Sequence, residues 1–216
     1  MTFRDFYEKV FERIDRYILF PLLAKSRRKK VKCEDFTIIS NNCWAGKCYE
    51  FLGMQKLTPT IGGYFFASDY VKFCKNLKKY LSMELEIIPI KESRHYDTLV
   101  SLGQENVIVG RLDDVEIVFL HYTDKDVVIE KWKRRVERVN WDKIILKFSY
   151  QNQCSDELLQ EFLAIEEYPK FALVGETVTG HKDEIVFSRN NGRETVEETR
   201  NFNWYVDPIK ILNDRL

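Results

Sequence analysis

Apolar residues near the amino terminus recur every three or four positions: Phe3, Phe6, Tyr7, Val10, Phe11, Ile14, Tyr17 and Ile18 fall on one face of a helix. Pro21 limits or kinks that helix, because proline lacks the backbone donor and its ring collides with the preceding turn. From Phe36 onward the period changes. Short β-branched or aromatic runs at 36–40, 60–66, 115–121, 144–148, 171–174 and 185–187 predict strands. Several are nearly continuous apolar runs, as in strands buried on both faces of a parallel or mixed sheet. Residues 45–52, 68–81, 124–139 and 155–165 predict helices, with Gly53 stopping the first, Ser68 and Asp69 preceding the second, and Ser155, Asp156 and Glu157 opening the fourth. Residues 92–105 read as an exposed loop, and 189–200, with Asn190, Asn191 and Gly192, as a turn and a charged stretch. The alternation predicts an α/β fold, a three-layer sandwich whose parallel or mixed sheet is flanked by helices, plus an amino-terminal amphipathic helix. A length of 216 residues suits one α/β domain over 33–216, preceded by the amphipathic helix and a basic linker over 1–32.

Composition narrows the class. With 44% hydrophobic residues the chain can bury a core, and 34 Lys plus Arg against 34 Asp plus Glu leave no net basic field, so no nucleic-acid partner is expected. That balance hides an asymmetry: the first 32 residues carry a net +6 and the remainder −6. Ala24 to Lys32 contains six cations and no anion, directly after the aromatic helix face. Two main readings stand: a helix docked on its own domain ahead of a solvated linker, or attachment of residues 3–32 to an anionic membrane surface. A nucleic-acid arm is the weakest third. Five unevenly spaced cysteines, without a C-x-x-C pair, argue against a disulfide framework or zinc knuckle. No metal and no cofactor are expected. There is no run of about 18 apolar residues and no uninterrupted apolar signal core, so a cytoplasmic protein is expected, or one peripheral on the inner membrane face.

Four constellations could carry chemistry. In Ile39-Ser40-Asn41-Asn42-Cys43-Trp44 a strand meets small polar residues and then a helix, at the strand end where open α/β sheets collect ligands. Ser40, Asn41 and Asn42 are helix caps or anion ligands. Cys43 is a small buried hydrophobe or a thiol activated by the positive helix end. The strand 115–121 ends at His121, a structural hydrogen-bonder or a general base that shares the rim with Cys43 if the strands run parallel. Lys131, Arg134, Arg135 and Arg138 form one helical stripe, either solvated and neutralised by Glu130 and Glu137 or placed to fork onto phosphate. Asp113-Asp114-Val115-Glu116 is a weak match to metal-holding D-x-D carboxylates and reads as a turn. Gly62-Gly63 is no phosphate loop, since neither G-K-[ST] nor G-x-G-x-x-G follows.

FTIISNNCWAG, the stretch Leu57, Thr58, Pro59, Thr60, Ile61, Gly62, then DYVKFCKNLKKYL, GRLDDVEIVFLHY and EKWKRRVERVNW resemble, in order and spacing, a bacterial family known as domain of unknown function nineteen-nineteen. Its members are often labelled exopolysaccharide biosynthesis proteins. The resemblance covers 36–148 and fades beyond about Tyr150. It implies an α/β sandwich and a setting in surface-polysaccharide assembly, and it places family motif positions on Ser40, Asn41, Asn42, Cys43, Trp44, Gly46, Pro59, Gly62, His121, Tyr122, Trp132, Arg134, Arg135, Arg138, Asn140 and Trp141. Ala45 and Val139 are mild departures, where Gly and Ile are common.

The expectation that follows is a transferase with a phosphate-bearing donor, most simply a nucleotide sugar, and a glycan acceptor. Ser40, Asn41, Asn42, Arg134, Arg135 and Arg138 would hold the donor, and His121 would act as base. Rival readings are an acyltransferase drawing on acyl-coenzyme A with a Cys43 relay, a cysteine hydrolase, and a non-catalytic scaffold at the membrane surface.

Overall fold

The computed structural model describes residues 3–189, 192–195 and 197–216, with side chains from Phe6 onward. The Phe3 side chain and the Asn190–Asn191 part of the expected turn lie outside the described residues. Four parallel strands form the central sheet in the order β1 (Thr37–Ser40), β5 (Ile144–Ser149), β6 (Lys170–Val174), β7 (Glu184–Val186). The apolar runs of β1, β5 and β6 bury both faces, as the sequence leads one to expect, while β7 is a partly exposed edge. Ile38, Ile145, Phe171 and Leu173 face a layer built from α2 (Phe20–Arg28), α3 (Trp44–Leu52) and α9 (Pro208–Asn213). Ile39, Leu146, Phe148, Ala172 and Val174 face the other way, against α4 (Ala67–Lys75), α5 (Leu77–Leu81) and α8 (Asp156–Leu163).

Between β1 and β5 the chain builds a second, antiparallel sheet in the order β2 (Glu86–Ile88), β3 (Ile108–Leu112), β4 (Val115–Phe119). The sequence pattern led to one sheet and missed β2 and β3, because β2 has three residues and Gly110 interrupts the apolar run of β3. Residues 92–105 are also more ordered than a loop: α6 (Tyr96–Ser101) drives Leu99 into the core beside this sheet. The expected strand at 60–66 makes a single bridge, Tyr64 to Val118, since Pro59 and the Gly62–Gly63 pair do not sustain a ladder. That bridge still matters. Phe65 N–H donates to Asn41 O (2.9 Å) while Tyr64 and Val118 exchange backbone bonds (2.8 and 2.9 Å), so the segment ties the end of β1 to the second sheet. The expected helix at 68–81 breaks at Asn76 into α4 and α5, and α7 (Lys125–Val136) ends three residues early.

The amino-terminal helix does not stop at Pro21. α1 (Phe3–Ile14) passes through a π-helical turn (Asp15–Leu19), in which Phe20 N–H donates to Asp15 O, into α2. The wider turn accommodates the donor that Pro21 lacks, and its extra residue keeps Phe20 and Ala24 on the same side as Glu8 and Asp15. The basic stretch is no linker either. α2 runs to Arg28, Arg27 lies 3.8 Å over the Phe51 ring, and Lys32 binds Asn213 through its backbone N–H (2.9 Å) and its ammonium (2.6 Å).

Candidate functional site

The β1–α3 junction is largely occupied with holding itself together. Ser40 N–H donates to Thr60 Oγ1 (3.1 Å), and Asn42 Oδ1 accepts from Trp44 N–H (3.0 Å), capping α3 from outside its first turn. Asn41 is fully buried and donates through Nδ2 to Ser149 O (3.1 Å). Ser40 Oγ meets Asn42 Oδ1 at 3.3 Å. Of the three anion ligands expected at this junction, only Asn42 lines either of the two clefts that open here.

Under this junction sits a charged cluster that sequence reasoning missed. Lys147, next to β1 on β5, is wholly buried, with its ammonium against Glu198, Ser149 Oγ and Asn42 Oδ1 (3.2 Å). Asn42 Nδ2 donates to Glu198 Oε1 (2.7 Å) and Ser149 Oγ (3.2 Å). Burial pulls the Lys147 ammonium below its ordinary pKa, and the Glu198 carboxylate pulls it partly back. Glu198 Oε2 is buried without a hydrogen-bond partner among the described residues. A lysine inside the apolar run Ile144–Phe148 was a visible signal; nothing local marked its partner 51 residues later.

Two adjoining clefts open above the cluster and share Cys43, His121, Glu197 and Thr199. The larger, about 530 Å³, is walled by Glu12 and Arg16 from the amino-terminal helix, Lys47 and Glu50 from α3, Gly62, Tyr122, Lys131 and Arg200. The smaller, about 380 Å³, reaches Asn42, Asn152 and Glu198. Five cations line the larger cleft (Arg16, Lys47, Lys56, Lys131, Arg200) against three carboxylates (Glu12, Glu50, Glu197). Glu50 takes Arg16 (3.0 Å) and Lys56 (2.8 Å), Glu12 takes Lys47 (3.0 Å), and Glu197 takes Arg200 (2.6 Å). Lys131 has no carboxylate partner among the described residues and lies 5.0 Å over the Tyr122 ring.

Cys43 and His121 thus come together along one opening, although β4 does not belong to the parallel sheet. The link is the glycine segment: His121 N–H donates to Gly62 O (3.2 Å), and the Cys43 thiol points to Gly63 O at 3.8 Å. Gly62 has φ +86°, and a Cβ there would stand 2.5 Å from the Tyr122 ring. No hydrogen bond joins Cys43 to His121. Burial pushes the Cys43 thiol up, more than Lys47, Lys147 and Lys56 pull it down, so the thiolate expected from the helix start is not favoured.

The arginine stripe stands apart from the cleft. Arg134 is exposed and 3.4 Å from Glu130, and Arg138 does not reach the lining. Arg135 donates to Ile61 O and Tyr122 Oη, both at 3.0 Å, and so braces the cleft wall from behind. Lys131, one turn earlier on α7, takes the place inside. Asp113 and Asp114 form the β3–β4 turn, where Lys79, Lys72 and Tyr80 engage them at 2.8, 2.9 and 2.6 Å.

The family model described as Domain of unknown function (DUF1919) matches residues 15–213. The chain belongs to this family. The match passes well beyond Tyr150, so Glu197, Glu198 and Arg200 fall within the family unit together with β1 and β4. A relative from Haemophilus influenzae, described as an uncharacterized protein, is 22% identical over 156 residues, which is 72% of this chain and 69% of the relative.

Proposed function

We propose that this family member is a transferase in bacterial surface-polysaccharide assembly, taking a phosphate-bearing donor, most simply a nucleotide sugar, in the larger cleft. The observation that carries the reading is the surplus of cations around an opening at the carboxyl end of β1, with Lys131 not neutralised by a carboxylate. The polysaccharide setting is what the resemblance of the sequence implies. In this reading His121, exposed at the opening, takes the proton of an acceptor hydroxyl. The hydroxyl oxygen bonds to the donor sugar carbon, whose bond to phosphate breaks. The phosphate leaves with the electron pair, neutralised by Lys131. Asn42 and Glu198 line the adjoining smaller cleft, with Lys147 buried beneath them. Acyl relay through Cys43 is less favoured, because no hydrogen bond links the thiol to His121 as a base and burial pushes its pKa up.

Thermal shift with nucleoside diphosphates, nucleotide sugars, coenzyme A and acyl-coenzyme A, each with and without a divalent ion, tests the reading. Donor at 100 times its Kd stabilises by about 2.7 kcal/mol. A nucleotide or nucleotide sugar is expected to shift wild type and to lose most of that shift in Lys131→Ala. His121→Asn is expected to keep the shift and lose transfer by about 10²–10⁴-fold. Shifts with the coenzyme A compounds alone, or with none, overturn the proposal.

A further inference from the structure

The helix that runs from Phe3 to Arg28 docks with its polar side inward. Glu8 is buried and takes Arg189 (2.8 and 2.9 Å) and Tyr205 Oη (2.6 Å). Asp15 is buried and accepts from Trp204 Nε1 (2.9 Å), and Glu12 is paired with Lys47. The apolar stripe that the sequence pattern marks out points into solvent, and Leu22 extends it: Tyr17 is 71% exposed, Leu22 73%, Ile18 57% and Phe6 56%, with Tyr7 and Val10 beside them. Exposed cations flank it at Arg13, Lys25, Lys29 and Lys30. Among described residues 6–30 no carboxylate is exposed, since all three are turned into the body. Helix orientation has sorted the charges.

We propose that this face seats the protein on an anionic membrane surface, with the helix lying in the plane of the interface. The stripe supplies apolar side chains for the acyl boundary, and the cations meet lipid phosphates. The same charge argues against a second copy as the occupant, because a two-fold contact would bring the two cationic borders together with no exposed carboxylate of described residues 6–30 to meet them. No helix among the described residues is long and apolar enough to cross a membrane, so the contact is one of lying on the surface. Arg16 and Glu12 of this helix line the larger cleft, so the seating places that cleft about one helix diameter, roughly 10 Å, from the lipid. The proposal does not depend on the reaction proposed above.

Flotation of the full chain with phosphatidylcholine vesicles, and with vesicles containing about one third phosphatidylglycerol, tests the seating. The wild type is expected to float with the anionic vesicles only, and to be weakened as salt rises from about 0.1 to about 1 M and the Debye length falls from about 10 to about 3 Å. Tyr17→Asp/Leu22→Asp and, separately, Lys25→Glu/Lys29→Glu/Lys30→Glu change exposed positions, and each is expected to lower the bound fraction at least about tenfold with an unchanged thermal midpoint. Absence of flotation, or flotation of both variants like the wild type, overturns the proposal. A dimer in sedimentation that the Tyr17→Asp/Leu22→Asp variant dissolves, without vesicle binding, assigns the face to self-association and overturns it as well.

Discussion

Lys147 shows how much one side chain can carry. A lysine ammonium without water is costly, and here Glu198, Ser149 and Asn42 replace its hydration. Because Glu198 lies on the carboxyl-terminal segment, the pair also fastens that segment over the end of β5. Lys147→Met is expected to cost about 3–5 kcal/mol in urea denaturation, since it leaves a buried carboxylate unpaired. Lys147→Met/Glu198→Leu is expected to recover most of that loss. A near-neutral single variant would show that the pair does not hold the segment. At the same scale Cys43 and His121 were legible as candidates from their positions at strand ends. The upward pull on the thiol's pKa was not, because it comes from burial by segments far apart in sequence.

Among the elements, the Gly62–Gly63 segment does the most to shape the site. It binds both sheets, and only a residue without a side chain fits beside Tyr122. Gly62→Ala is expected to destabilise by about 1–2 kcal/mol for its left-handed backbone, plus the cost of moving the Tyr122 wall. Gly103→Ala is the control, with φ +68° and open space around the added methyl. The two thermal midpoints are expected to separate, with Gly62→Ala the lower and its donor shift lost; equal midpoints would show that the wall yields freely. In the sequence this segment looked like a strand because Thr60, Ile61, Tyr64, Phe65 and Phe66 carry strand-forming side chains. The glycines between them give it another role. The amino-terminal helix offers the same lesson: its period was plain, but the π turn before Pro21 reflects the packing of Phe20 and Ala24 against the body.

Across the whole molecule, several carboxylates are held below their ordinary pKa values. Tyr80 and Lys72 hydrogen bonds bring Asp114 to about 2. Burial raises Glu116, but hydrogen bonds from Ser93 and Arg111 outweigh it and leave the group below 4.5. Lys143 lowers Asp35, and Tyr150 with Arg193 lowers Asp156. A depressed folded pKa means that the unfolded chain binds protons first, so the stability these groups contribute is present above their ordinary values and lost as pH falls through the folded ones. The urea midpoint is therefore expected to fall steadily from about pH 5 to about pH 2, and a flat profile would refute the linkage. Local periodicity by itself determined the α/β class, the strands of the central sheet, most helices and the amphipathic character of the amino terminus, since all of these depend on neighbours within a few residues. Tertiary structure alone decided that a second sheet is inserted between β1 and β5, that Lys147 meets Glu198, and that Lys131 rather than Arg134 or Arg138 lines the cleft. It also decided which side of the amino-terminal helix turns outward. A helical period defines a stripe but not what covers it, and here buried partners for Glu8 and Asp15 hold the polar side against the body and leave the apolar side in solvent.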